Sequence, residues 1–342
     1  SGSIGGGSDG FISTFSSTGS PLWNLRLGGS NNEIATSAAL DTDGSIWIVG
    51  ASSSTVSKTP SPTPTKLLNP DNVEISPNTS TNTSLTKLNL WQVSASGQLI
   101  NSFETQTAGV INPQKILITQ TGLVVFGDIY EKSTIKGFFA SMSKAGVFTP
   151  LIKYGVKQTQ FAGAVSNTDG SFTVVGKSAD LLLKVKPLSK GDAITIKIST
   201  KGVLQQVARA TLKSTTRSWD SISTGLLQGG LVKYAKKSEA AVTKFSAIGK
   251  PLWNDRYPAS SSALVATGSN SWATFVSTGA IAGIPSWKPK VPTSVVLELG
   301  KKGEVVTASA ISGLPVAIAR NNEIGTVVIT DSGTSFGIVV IN

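Results

Sequence analysis

An all-β repeat fold is what this sequence predicts, on three observations. Phe15-Ser-Ser-Thr-Gly-Ser-Pro-Leu-Trp-Asn-Leu-Arg26 returns as Phe245-Ser-Ala-Ile-Gly-Lys-Pro-Leu-Trp-Asn-Asp-Arg256, and Thr42-Asp-Gly-Ser-Ile-Trp-Ile-Val-Gly50 returns as Thr168-Asp-Gly-Ser-Phe-Thr-Val-Val-Gly176. Charged residues are only 14%, there are 35 glycines among 342 residues, and Val and Ile recur in short runs, as in strands. Internal repeats at such spacing mark units that share one continuous core, which outweighs the two or three domains that length alone allows.

The elements follow from the turns. Gly19, Gly97, Gly146, Gly202, Gly249 and Gly303 each sit between two apolar-alternating stretches. A second series of turns alternates with the first, near Asp43-Gly44, Thr121-Gly122, Asp169-Gly170, Gln228-Gly229, Ser269-Asn270 and Asn322-Glu323. Glycine serves such turns because it accepts positive φ without a Cβ clash. Between them the alternation has period two, as in Ile46 and Ile48, Val124 and Phe126, Ile194, Ile196 and Ile198, and Val295, Leu297 and Leu299. No segment sustains a helical period. Each unit thus has two hairpins, or four strands, in about 50 residues, the size of one propeller blade. The expected architecture is a single β-propeller domain over 1–342, built of four-stranded antiparallel blades.

The first unit resembles the bacterial seven-bladed β-propeller repeat (SBBP) family. The resemblance rests on Asp9-Gly10-Phe11, Phe15, Gly19, Trp23, Gly28-Gly29, Glu33, Ala35, Asp41, Gly44, Trp47 and Gly50, and in part on 240–257 with Lys244-Phe245. It implies a fold and no reaction. The hairpin series gives 25 strands: one opening hairpin, five full blades and a closing group of three that ends with Ser335–Ile341. Seven blades of four need 28, so seven blades are expected with the first one incomplete and three strands before Ser1. Six blades are the alternative. Either ring would close by mixing strands from the two ends of the chain.

Residues 52–84 interrupt the pattern with Ser, Thr, Pro and Asn, including Pro60, Pro62, Pro64, Pro70 and Pro77. Such a run resists a packed core and reads as an exposed loop. It holds Asn78-Thr-Ser and Asn82-Thr-Ser, which match the N-glycosylation acceptor pattern.

Chemistry is restricted by what is missing. The chain has no Cys and no His. Disulfides, Ser-His-Asp and Cys-His catalysis and the usual zinc sites are excluded. No apolar run approaches the roughly 20 residues of a membrane-crossing helix. A carboxylate pair remains available for glycoside hydrolysis, but Asp43, Asp169 and Asp331 sit in turns, where carboxylates bond the backbone. Asp41-Thr-Asp43-Gly44 opens like a calcium loop, but Ser52 stands where the twelfth ligand would be. No metal and no cofactor is implied.

Charge supplies the candidate sites. Net charge is +11; residues 1–130 carry 5 basic and 8 acidic groups, and residues 131–342 carry 25 and 11. The excess falls between Lys132 and Arg256. It is read either as a polyanion surface or as lysines that keep sheet edges from pairing. Lys233, Lys236 and Lys237 cluster near one turn, and Arg209, Lys213 and Arg217 form a second basic group. Trp287, Lys288 and Lys290 lie in a connection with three prolines, where an exposed Trp can stack on a sugar or a base, or can fold over the end of a blade. Trp23 and Trp253 occupy equivalent positions and are read as packing between blades. The expected function is a non-enzymatic binding or scaffold module, secreted or on a bacterial cell surface, with an anionic glycan, another polyanion or a protein as partner. A carbohydrate-active enzyme using carboxylates and a polyanion-binding protein acting through 132–256 are the alternatives.

Overall fold

The computed structural model describes residues 8–55, 81–211 and 214–341. The strands fall into two compact units. The first comprises the chain up to Thr14 together with Leu22–Pro113. It holds the hairpin of β1 (Gly10–Phe15) and β2 (Pro21–Leu27). It also holds an antiparallel sheet of β3 (Glu33–Leu40), β4 (Ile46–Thr55), β5 (Thr81–Val93) and β6 (Leu99–Gln106), in chain order.

The second unit is Phe15–Pro21 with Gln114–Asn342. Chiefly within it lies the sheet of β7 (Val110–Ile118), β8 (Gly122–Glu131), β9 (Thr134–Ser143) and β10 (Ile152–Tyr154). Next come β11 (Thr159–Ser166), β12 (Phe172–Ser178), β13 (Asp192–Ile198) and β14 (Leu204–Ala210). They are followed by β15 (Thr216–Ser223), β16 (Leu227–Tyr234), β17 (Lys237–Phe245) and β18 (Pro251–Pro258). The last four-stranded sheet is β19 (Leu264–Thr267), β20 (Ser271–Ser277), β21 (Thr293–Leu299) and β22 (Val305–Ile311). A three-stranded sheet of β23 (Leu314–Asn321), β24 (Gly325–Asp331) and β25 (Phe336–Ile341) completes the unit. The first strands β11, β15, β19 and β23 lie against one another in succession.

Consecutive antiparallel sheets of four strands in chain order are propeller blades. The described residues form 25 strands, grouped as the turn series requires. The seven-blade expectation is corrected to the six-blade alternative. Among the described residues, five four-stranded sheets and one three-stranded sheet are blade-sized, and β1 and β2 pair only with each other.

One turn recurs throughout. All six glycines of the first series have φ between 77° and 89°. At five of them a serine three residues earlier closes the turn. The N–H of Gly97 donates to the Ser94 carbonyl at 3.0 Å, the Ser94 N–H donates to Gln98 O at 2.8 Å, and the Gln98 N–H donates to Ser94 Oγ at 3.0 Å. Ser16, Ser143, Ser199 and Ser246 repeat this. These are three-residue hairpins with a left-handed third residue. Gly44 and Gly170 do the same in the second series, with φ of 83° and 80°.

A second device explains the Val-Gly that ends each copy of the shorter repeat. The first strand of a blade bulges, between Ala35 and Ser37 in β3, Phe161 and Gly163 in β11, and Trp219 and Ser221 in β15. The bulge turns a carbonyl toward the second strand. Gly50, Gly176 and Gly230 face those carbonyls, and a Cβ at any of them would collide with Ile34 O, Gln160 O or Ser218 O respectively. The turn expected at Gln228-Gly229 is corrected by the same observation. Gln228 is buried within β16, and the chain reverses earlier, through a 3₁₀ turn at Thr224–Leu226.

Central strands of several blades bury both faces, β8, β12 and β20 among them. All of Gly122–Ile129 in β8 is buried. The aromatic core between the β7–β10 and β11–β14 blades joins Phe126, Phe139 and Phe172, with Phe126 edge-on to both others. The insertion read over 52–84 is shorter at both ends, since β4 runs to Thr55 and β5 begins at Thr81. The rest of it, including Asn78, Lys58 and Lys66, lies outside the described residues, as does Lys213.

Candidate anion-binding site

The candidate site lies in the second unit, at the end of the blades where each second strand hands over to the third. Adjacent blades are tied together there by the backbone. The Ile135 N–H donates to Lys157 O at 2.9 Å, Arg217 to Gly191 O at 3.0 Å, and Ala263 to Gly230 O at 3.1 Å. The connection from β12 to β13, residues 179–191, is held by two charged groups. Asp180 accepts the backbone N–H groups of Val156, Lys157 and Gln158 and the Thr159 hydroxyl. Burial raises the Asp180 pKa, but these donors outweigh burial and hold it below the usual carboxylate value. Arg209 reaches across from β14, donating to Ser178 O at 3.0 Å and to Asp180 O, and pairs with Asp192 at 3.4 Å.

Beside this connection is a cavity of about 370 Å³. Lys177 of β12, Lys190 of the connection and Lys233 of β16 line it with Gln158, Gln160, Thr216, Arg217 and Ser218. None of its lining residues is acidic. The three lysines are exposed and form no ion pair among the described residues. Asp128 stands nearby, in the position after Gly127 that Lys177 occupies after Gly176. Burial pushes Asp128 up to about 7, against the lowering effects of the Phe161 N–H, Lys177 and Gln160. Three ammonium groups around one concavity make a field that attracts anions, with hydrogen-bond donors left free to meet them.

The sequence-predicted residues are distributed unevenly. Lys233 lines the cavity. Lys236, in the turn after β16, and Lys237, the first residue of β17, are exposed and lie outside its lining. Trp287 lies elsewhere, between β20 and β21. It is half-buried against the blade core, and its indole N–H donates to Ser277 Oγ at 3.1 Å. Lys288 and Lys290 are exposed beside it. Arg217 is buried and lines the cavity, while Arg209 is committed to the β12–β13 connection. Lys177 and Lys190 were not singled out from sequence. The available signal was alignment: the residues after the repeat glycines are Ala51, Asp128, Lys177 and Leu231, a charged pair in neighbouring blades.

The basic half does not gather on a single end. Lys144, Lys201 and Lys250 occupy the glycine turns at the opposite end of the blades. The turn acids act as the backbone requires. Asp43 accepts from the Ser45 N–H at 2.8 Å, Asp169 from Ser171 at 3.0 Å, and Asp331 from Gly333 at 2.7 Å. Trp23 and Trp253 pack on the turns of following sheets, over Gly97 and Gly303.

No protein-family model matches this chain, and no curated protein matches it either. Its fold is shared with a crystallised protein from Lactobacillus plantarum, at 13% identity and a TM-score of 0.51, with 97% of this chain and 87% of that one covered. The Dos1 propeller aligns at 10% identity and a TM-score of 0.45, covering 95% and 72%. A Synechocystis apocarotenoid oxygenase aligns at 8% and 0.49, covering 90% and 69%. At these identities the likeness is one of fold alone. The chain is a β-propeller protein. Among the described residues no helix is long and apolar enough to cross a membrane.

Proposed function

We propose that this protein is a non-enzymatic binding module, secreted or displayed on a bacterial cell surface, whose ligand is an anionic polymer such as an acidic glycan. The observation that carries the reading is the cavity lined by Lys177, Lys190 and Lys233 with no acidic group in its lining. A polymer fits better than a small anion because the cations continue beyond the cavity, at Lys184, Lys186, Lys236 and Lys237. Membership of the bacterial propeller-repeat family, on the strength of residues 9–50, and folding of 1–342 as one domain belong to the same reading. A protein partner with an acidic face is the second class that this charge accommodates. An array of sulfated and carboxylated glycans, nucleic acids and neutral glycans tests the proposal. Retention on acidic glycans and not on neutral ones supports it; retention on neutral glycans, or on none at low salt, overturns it.

A further inference from the structure

A second cavity, of about 480 Å³, lies between the β11–β14 and β15–β18 blades. Arg217, Trp219 and Arg209 line it with Leu226, Phe245 and Pro251. The Arg217 guanidinium lies 4.2 Å from the centre of the Trp219 ring. Arg217 is 9% exposed and Trp219 1%. Arg217 donates to Asn254 Oδ1 at 3.2 Å and lies 3.5 Å from the Thr243 hydroxyl, both neutral groups. Among the described residues no carboxylate pairs with it. Arg209, on the facing wall, is already neutralised by Asp192.

A buried guanidinium without a counter-ion is costly, since its charge is desolvated and nothing offsets the loss. Burial accordingly lowers the Arg217 pKa to about 10, and Arg256 pushes in the same direction. Among the described residues, three N–H groups on the walls also lack an acceptor: Arg217 Nε, Trp219 Nε1 and Arg209 Nε. Buried polar groups are nearly always satisfied, so this concentration of donors beside one cavity marks a missing acceptor. The other walls are mixed: Leu226, Phe245 and Pro251 are apolar, and Thr195, Gln228 and Thr243 are neutral and polar.

We infer that this cavity binds a small organic carboxylate, its anionic head against Arg217 and its apolar body against Leu226, Phe245 and Pro251. Arg217 lies on the lining of both cavities, but the inference does not depend on the polymer reading, since the carboxylate is placed on the Trp219 side of Arg217. Its occupant is a monoanion, because one uncompensated cation faces it.

The test is calorimetric titration of the full chain with benzoate and hexanoate, and with benzamide and hexanamide as neutral isosteres. The carboxylates are expected to bind at least about tenfold more tightly than the amides, the difference that one charge-assisted contact supplies. Arg217→Gln should weaken benzoate by about the same factor. The triple change Lys177→Glu, Lys190→Glu and Lys233→Glu should leave benzoate binding intact, which separates this site from the polymer surface. If Arg217→Gln does not fold, the acid–amide comparison on the wild-type chain decides alone. Equal binding of acid and amide, absence of carboxylate binding at millimolar concentration, or a folded Arg217→Gln that binds benzoate as the wild type does would overturn the inference.

Discussion

The Asp128 carboxylate accepts the backbone N–H of Phe161 at 2.7 Å, from β8 of one blade to β11 of the next. The bulge after Phe161 belongs to the same stretch of strand, where ladder pairing is interrupted. Asp128 satisfies a donor there and ties two blades together with one side chain.

That tie has a pH dependence with a definite sign. Asp128 titrates at about 7 in the folded chain, against 3.8 for an ordinary aspartate, chiefly because it is buried. Between those values the folded state keeps a proton that the unfolded chain has released, so stability falls as pH rises through the window and levels off above it. Asp128→Asn mimics the protonated form and keeps an acceptor for Phe161. It should match the wild type near pH 4 and be more stable at pH 8.5, by about 1–4 kcal/mol. Melting curves at both values measure this. A variant less stable than wild type at pH 8.5 contradicts the assignment.

Two turn glycines separate backbone strain from packing. Gly249 and Gly303 have φ of 77° and 89°, both in the left-handed region. A Cβ on Gly249 meets nothing within 4 Å, whereas one on Gly303 comes 2.5 Å from Asp255 Oδ2 and 2.9 Å from the Trp253 ring. Gly249→Ala should cost about 1 kcal/mol, from strain alone. Gly303→Ala should cost roughly 2–4 kcal/mol, because the Trp253 ring must also move. Chemical denaturation of both measures the difference, and equal losses would show that Trp253 yields freely.

Much of the fold was legible because turn chemistry is local. The six glycines announced their positive φ from sequence, and Trp23 and Trp253 announced packing by repeating at one structural position. The cavity was less legible. Lys177 and Lys233 are 56 residues apart in the chain and meet only because adjacent blades bring β12 and β16 together. Gln228-Gly229 misled because a pair of glycines reads as a turn, while here small size serves a close approach inside a strand. Trp287 could be read from its prolines either as exposed or as folded over the end of a blade; its indole N–H donates to the Ser277 hydroxyl. The blade count depended on pairing between strands distant in sequence, which turn spacing does not encode.

The proposal that 1–342 folds as one domain makes a thermodynamic prediction. Unfolding followed by tryptophan fluorescence and by far-ultraviolet circular dichroism should give coincident single transitions, with a denaturant slope suited to the whole chain. Two resolved transitions would show that the two compact units unfold independently.

The most direct test of the central claim is the salt dependence of heparin binding by the wild type and by the chain carrying Lys177→Glu, Lys190→Glu and Lys233→Glu. Each cationic contact releases counter-ions, so affinity falls with salt in proportion to the number of contacts. The account predicts that the triple variant binds heparin at least about tenfold more weakly at low salt, with a salt slope shallower by roughly two to three units. It also predicts that Lys201→Glu with Lys250→Glu, at the opposite end of the blades, leaves both quantities unchanged. Equal affinity and slope in the wild type and the triple variant would contradict it.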